Sequence, residues 1–318
     1  MRVVFMGTPE FALPSLEALV SSEHKIVGVV TAFPKPAGRG LKVAPSPVER
    51  RARELGLEVQ TPEKLKDPPF LGWLGARGPD VGVVVAFRYL SKEVYSLPRW
   101  GSVNLHASLL PQYRGAAPVN WAIYHGERKT GVTTFLLDDR LDTGAILAQR
   151  DCPIGPDETA GELAEKLSRL GAKLLLETLN GMEVGSLMPV PQSEAGASSA
   201  PRLKKEDGFV RWDLSALQVH NQIRAFSPVP GTWGKLGGVI VKIYRSRVLL
   251  STADLEKSTA NAPGSWCYFS DKTGLAVCCG EGAVELVELS LEGRKKSTGP
   301  EFARGHRKLA DKTFELTV

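Results

Sequence analysis

The strongest constraint on how this chain folds is an alternation running through roughly its first 180 residues. Short, almost wholly apolar runs, Arg2 to Met6, Lys25 to Thr31, Val81 to Ala86, Ser102 to Leu105 and Thr133 to Leu137, read as strands. Between them Phe11 to Ser21, Pro47 to Leu55 and Val119 to Tyr124 read as helices. Glu158 to Leu179 carries Leu163, Leu167, Leu170, Leu174 and Leu175 at helical spacing. A strand that is apolar at nearly every position is covered on both faces, and alternation with helices supplies that cover. The expectation is an α/β fold with a doubly wound, mostly parallel sheet.

The pattern then stops. Gly181 to Ala200 is rich in Gly, Ser, Pro and Ala with no sustained apolar period, and reads as an exposed linker. Beyond it lie a helix candidate, Asp213 to Ala225, and short strands at Thr232 to Leu236, Val239 to Tyr244, Gly264 to Phe269, Leu275 to Cys278 and Ala283 to Leu289. Short strands with glycine between them predict a small β-barrel. Two domains suit 318 residues.

Composition excludes more than it assigns. With 42% hydrophobic and 24% charged residues the chain is globular in character. Its longest apolar run, Val81 to Phe87, is far short of the ~18 residues that span a bilayer. The first strand candidate starts at Arg2 with no signal-like segment before it, so the expected location is cytoplasmic, with no membrane partner. Cys152, Cys267, Cys278 and Cys279 form neither a C-x-x-C motif nor a disulfide framework, which suits a reducing compartment and no metal. The net charge of +5 is compatible with a polyanionic partner without requiring one.

The most informative stretch is Ser102-Val103-Asn104-Leu105-His106-Ala107-Ser108-Leu109-Leu110-Pro111. Asn104 and His106 share a strand face, at the end where parallel sheets bind ligands. An amide donor beside an imidazole suits acyl transfer, since Asn donates to a developing oxyanion while His stabilises it or moves a proton. The alternative is a strand cap beside a satisfied core histidine. Asp138, Asp139 and Asp142 lie in a turn that ends in Thr143-Gly144. They read as an Asx-turn, metal ligands or a supported base, and Asp142 matters only if folding brings it beside His106. Lys35, Arg39 and Lys42 make the Pro- and Gly-rich segment from Phe33 to Pro45 cationic, either to meet phosphates or simply to be solvated. Gly7-Thr8-Pro9-Glu10 matches no nucleotide-binding fingerprint, and neither G-x-S-x-G nor a Cys–His set is present. The nucleophile is therefore expected to come from the substrate.

Taken in order, Gly7-Thr8-Pro9-Glu10-Phe11, Pro36-Ala37-Gly38-Arg39-Gly40, Pro45-Ser46-Pro47-Val48, Asn104 to Pro111, Arg114-Gly115-Ala116-Ala117-Pro118 and Leu141-Asp142-Thr143-Gly144 resemble the methionyl-tRNA formyltransferase family, a branch of the 10-formyltetrahydrofolate-dependent formyltransferases. The match is specific up to about Gly144. It is looser afterwards, where Ile223-Arg224-Ala225-Phe226 and Ala262-Pro263-Gly264 carry it. The resemblance implies a Rossmann-like formyltransferase fold with a smaller C-terminal OB-like β-barrel, arranged as a catalytic domain over 1–189, a linker over 190–204 and a tRNA-binding domain over 205–318. It implies formyl transfer from 10-formyltetrahydrofolate to the α-amine of methionyl initiator tRNA by a monomeric enzyme. Asn104, His106 and Asp142 match the catalytic trio, and Ser108, Leu109, Leu110 and Pro111 match the folate-contacting segment. Arg39 matches the loop residue that approaches the acceptor stem; Lys35, Lys42, Lys204 and Lys205 are further tRNA candidates. Among other C-terminal basic residues, Arg294, Lys295, Lys296, Arg304, Arg307 and Lys308 are candidate backbone contacts. Phe87-Arg88 departs from the family's usual Tyr-Gly, so no binding role is carried over there. Two rival readings are a formyltransferase for a small amine and an RNA-binding protein with a dead transferase site; the intact trio argues against the latter.

Overall fold

The computed structural model describes residues 1–34, 36–37, 42–249, 262–272 and 274–317. It divides into two compact units, the first comprising Met1–Pro118, Lys129–Pro153 and Ala164–Ala200, the second Val119–Arg128, Ile154–Leu163 and Pro201–Val318. The stretch from Gly181 to Ala200, which reads as a linker, thus belongs to the first unit.

The first unit is built on strands β1 (Arg2–Gly7), β2 (Lys25–Val30), a hairpin β3 (Pro36–Ala37) and β4 (Lys42–Val43), β5 (Val59–Gln60), β6 (Val81–Val85), β7 (Ser102–His106), β8 (Arg114–Gly115), β9 (Lys129–Leu136), β10 (Ile146–Pro153) and β11 (Ser199–Ala200). Seven of them form one sheet in the order β10-β9-β7-β6-β1-β2-β5. From β5 to β7 all neighbours run parallel, while β9 and β10 are antiparallel. The mostly parallel sheet expected from the apolar runs is present, and its arrangement is Rossmann-like, as the resemblance implies. β6 is buried at every position, which is why it reads as an unbroken apolar run. Strand order reverses at β1, so the carboxyl ends of β1, β6 and β7 converge where open α/β sheets place their sites.

β10 was not foreseen. It is an edge strand with three consecutive exposed polar residues, Gln149, Arg150 and Asp151, and only pairing with β9 reveals it. Helices α1 (Leu13–Val20), α2 (Pro47–Glu54), α3 (Pro68–Ala76), α4 (Lys92–Tyr95), α5 (Pro118–Tyr124) and α6 (Ala160–Glu183) complete the alternation along the chain, although α5 beyond Pro118 and the start of α6 fall in the second unit. In α6 the expected stripe is in place: Leu163, Leu167, Leu174 and Leu175 are buried.

The second unit holds α7 (Ala216–Ala225) and an antiparallel sheet of β12 (Thr232–Leu236), β13 (Val239–Leu249), β14 (Trp266–Ser270), β15 (Gly274–Cys278), β16 (Ala283–Leu291) and β17 (Ser297–Thr298), followed by α8 (Gly299–Gly305). The order is β12-β13-β16-β15-β14 with β17 on β16, an OB-like arrangement. Its core gathers Trp212, Val219, Ile223, Leu236, Val241, Leu286, Phe302 and Phe314. The reading of the cysteines is corrected: Cys267 and Cys278 are disulfide-bonded, with Cα atoms 5.6 Å apart. Sequence spacing does not show this, because the β14–β15 register brings together residues that are 11 apart.

α7 starts at a capping box of Ser215 and Gln218 and buries polar side chains as well as apolar ones. Arg224 donates to Asn221 Oδ1 at 2.9 Å and to the Gly155 and Glu158 carbonyls at 3.3 and 3.2 Å. His220 meets Ser246 Oγ at 3.0 Å and the Pro156 carbonyl at 3.1 Å, so Nε2 carries the hydrogen. Burial lowers the pKa of His220, with the Arg224 cation adding in the same direction. The folded protein therefore holds His220 neutral where the unfolded chain takes up a proton, so this contribution is intact above about pH 6.5 and lost as pH falls below it. His24, also lowered chiefly by burial, acts in the same sense. In His220→Gln the fall in thermal midpoint between about pH 8 and about pH 5 should be smaller than in the parent. Equal falls in the two proteins would refute this linkage.

Candidate active site

β7 ends at His106, and register places Asn104 between Val84 of β6 and Phe135 of β9. Asn104 is half-buried and His106 is 7% exposed. The turn from Asp138 to Gly144 returns the chain from β9 to β10, and it resolves the three acids. Asp138 accepts from the Arg140 amide at 3.1 Å and from Thr143 Oγ1 at 2.8 Å, which makes it the Asx-turn residue. Asp139 accepts from the Tyr95 hydroxyl at 2.7 Å, and that hydrogen bond, helped by burial, pushes the Tyr95 pKa up to about 12. Asp142 faces the histidine: its Oδ2 lies 3.8 Å from His106 Nδ1.

Two backbone groups of the following loop fix this pair. His106 Nε2 lies 2.9 Å from the Tyr113 carbonyl, and a carbonyl only accepts, so Nε2 carries the hydrogen. Asp142 Oδ2 accepts from the Gly115 amide at 2.8 Å. Tyr113 and Gly115 sit either side of Arg114, so three residues hold both members of the pair. The consequence for chemistry is direct. Nε2 is engaged in the scaffold, and Nδ1 is the ring nitrogen turned to the carboxylate. The alternative of a satisfied core histidine thus accounts for only half of the ring.

The loop's shape depends on glycine. At Gly115, with φ of 130°, an added Cβ would stand 2.4 Å from the Ala200 carbonyl oxygen, because β8 pairs with β11. Asp142 itself takes φ of 54°, a left-handed conformation that Asp tolerates better than most residues.

Of the residues expected to contact folate, Ser108 is fully buried and donates to the Gln112 carbonyl at 2.6 Å, so its hydroxyl shapes the loop from within. Leu109 and Pro111 are half-buried, while Leu110 is buried with its amide on Thr133 Oγ1 at 3.1 Å. Thr133 donates in turn to the Ser108 carbonyl at 2.6 Å, and Gln149 donates to the Leu110 carbonyl at 2.8 Å. Thr133 and Gln149 were not foreseen, since each supports the loop from a different strand. At the departure from the family pattern, the left-handed residue is Ala86 with φ of 47°, not Arg88. Arg88 donates to the Pro62 and Glu63 carbonyls, and with Leu65, Lys66, Tyr89, Ser91, Lys92 and Glu93 it lines a cavity of about 450 Å³.

Among the tRNA candidates, Lys35 and Arg39 lie outside the described residues, and Lys42 is placed only as backbone in β4. Lys204 and Lys205 are exposed, Lys205 with its Nζ 5.9 Å from the Trp233 ring. Arg294, Lys295, Arg304 and Lys308 are exposed as well. Lys296 and Arg307 are each ion-paired, with Glu288 and Asp271 at 3.1 Å. Among the described residues no cluster of three or more His, Cys, Asp or Glu side chains is placed to hold a metal, and no helix is long and apolar enough to cross a membrane.

The site is thus an Asn-x-His strand end faced by the Asp of an Asp-Thr-Gly turn, in a chain whose second unit carries an antiparallel sheet. The formyl transferase family model matches residues 1–179, and the formyl transferase C-terminal domain model matches residues 202–307. Methionyl-tRNA formyltransferases of Trichlorobacter lovleyi, 43% identical over 96% of this chain and 94% of that protein, and of Syntrophus aciditrophicus, 44% identical over 96% of each, are among its relatives. The chain belongs to the methionyl-tRNA formyltransferase family and is an enzyme of the formyltransferase class. Of solved structures, HypX from Aquifex aeolicus in complex with tetrahydrofolic acid superposes with a TM-score of 0.64 at 19% identity, which shows the shared fold; 98% of this chain spans 48% of that protein.

Proposed function

We propose that this enzyme moves the formyl group of 10-formyltetrahydrofolate onto the α-amine of methionyl initiator tRNA, by direct attack of the amine through a tetrahedral intermediate. The observation that carries the chemistry is the buried His106–Asp142 pair at 3.8 Å, two residues along β7 from Asn104. The substrate amine, with an ordinary pKa of about 7.7 to 8.0, is neutral often enough near neutral pH to attack the formyl carbon. A C–N bond to the amine forms, the carbonyl π electrons move to oxygen, and the oxyanion collapses to break the bond to folate N10. The proton lost by the amine is the one N10 must gain.

In this reading the Asn104 amide donates to the oxyanion, and His106, when protonated at Nδ1, supplies a second positive group. Asp142 sits within reach of the same nitrogen and handles or organises the proton transfer. The donor set fits a neutral formamide, which needs hydrogen bonds and a proton route but no metal. Leu109 and Pro111 supply half-buried apolar surface on the loop beside the pair, suited to part of the folate. Lys35, Arg39 and Lys42, with Lys204 and Lys205, would bind tRNA phosphates, and the enzyme would act as a monomer in the cytoplasm, where translation starts.

The test is purified protein with 10-formyltetrahydrofolate, offered methionyl initiator tRNA, elongator tRNA or glycinamide ribonucleotide. Formylation of initiator tRNA is expected; formylation of the small amine alone would overturn the reading. In the same assay Lys35→Ala with Arg39→Ala and Lys42→Ala should weaken tRNA binding and reduce the slope of log affinity against log salt by up to about 2.7, at roughly 0.9 for each phosphate no longer neutralised. An unchanged slope removes that segment from the tRNA interface.

A further inference from the structure

Residues 191–199 are all exposed except Gln192, which is half-buried. Its side chain spends its full hydrogen-bonding capacity on the candidate active site. Oε1 accepts from Arg114 Nε at 3.1 Å and from Arg114 Nη2 at 2.9 Å, while Nε2 donates to the Asp142 carbonyl and to the Gly144 carbonyl, both at 2.9 Å. The orientation of the amide is forced, since a guanidinium only donates and a carbonyl only accepts.

We infer that Gln192 is a positioning residue for the formyl-transfer site, clamping the Tyr113–Gly115 segment to the Asp142–Gly144 turn so that Asp142 is held against His106. This rests on the assignment of His106 and Asp142 given above. The segment on one side of the clamp carries the Tyr113 carbonyl that holds His106 and the Gly115 amide that holds Asp142. The turn on the other side carries Asp142 in a left-handed backbone conformation, which persists only when its surroundings fix it. The Asp142 carboxylate already joins the two pieces directly, and Gln192 ties them a second time from outside both. Ser198 adds hold on the first piece alone, accepting from the Tyr113 amide at 2.9 Å on Oγ and from the Arg114 amide at 2.8 Å on its carbonyl. The stretch that reads as a linker is therefore a second layer of the site, and its glutamine sets the distance between the acid and the imidazole.

Gln192→Glu separates this role from simple packing. The carboxylate has the shape of the amide and still accepts from Arg114, but it sets an oxygen against two carbonyl oxygens and releases the turn. Turnover should fall about tenfold or more, with KM for the amine substrate within about twofold and the thermal midpoint close to the parent. Gln192→Ala, which loses both sides, should fall at least as far. In an Asp142→Ala background Gln192→Glu should cost little more, because coupled residues are not additive. Additive losses, or a loss confined to KM, would overturn the inference. Ratios are taken with whichever amine the parent formylates, so a different acceptor leaves this test standing while refuting the tRNA reading. A readout free of substrate is hydrogen exchange at the Gly115 amide, expected to quicken several-fold in Gln192→Glu. Unchanged exchange there would overturn the clamp even if no turnover were measurable.

Discussion

His106→Ala and Asn104→Ala should each reduce turnover about 10²-fold or more while leaving tRNA affinity within about twofold of the parent. The size follows from what a fixed donor contributes. A hydrogen bond aimed at charge that appears only in the transition state, in a site shielded from water, is worth roughly 3 to 4 kcal/mol, and little of that shows in ground-state binding. His106 is 7% exposed with Nε2 already tied to Tyr113, so the orientation of Nδ1 is set before substrate arrives. His106→Ala also strands the Tyr113 carbonyl, so thermal denaturation must accompany the kinetics; a parent-like midpoint assigns the loss to chemistry. Single-turnover formylation with saturating enzyme separates the chemical step from binding. If either variant keeps near-parent turnover, that residue does not stabilise the reacting oxygen.

Among the described glycines, Gly144→Ala should be the most damaging substitution. A Cβ built at Gly144 stands 1.6 Å from the Leu136 carbonyl oxygen and 2.8 Å from its carbon. Those atoms are backbone at the end of β9, where the Leu136 amide donates to the Ala145 carbonyl at 3.0 Å, so no side-chain rotation relieves the overlap. Either the turn lifts away or β9 shortens. The expected cost is about 3 kcal/mol or more, above ordinary overpacking because the obstacle cannot repack. Denaturant unfolding measures it, and a change under about 1 kcal/mol would mean that the turn does not lie against β9 as described. Turnover should fall together with stability, because the same turn carries Asp142.

The legible parts of the fold were those whose local pattern also satisfies the tertiary structure. β6 is buried throughout and reads as an apolar run, and α6 shows its leucine stripe because that stripe is its buried face. β10 escaped because an edge strand with Gln149, Arg150 and Asp151 has no apolar run to announce it. The Cys267–Cys278 bond escaped because spacing along a chain says nothing about strand register. Thr133, Gln149 and Gln192 escaped for a related reason: a lone Thr or Gln that supports a loop from another element has no neighbours in sequence that reveal its task.

Sequence by itself determined the sheet class, the two-unit plan, the Asn104 and His106 pairing on one strand face, and the absence of a nucleophile motif of the Ser or Cys type, since each of these is written in residues close together along the chain. Tertiary structure decided which of Asp138, Asp139 and Asp142 meets the histidine, which nitrogen of His106 faces it, and that the Gly- and Ser-rich stretch packs against the same loop and turn. Those outcomes depend on carbonyl and amide groups brought together across separations of 27 residues between Gly115 and Asp142 and 50 between Asp142 and Gln192. Backbone groups are the same in every residue, so only the folded register says which of them a side chain will find.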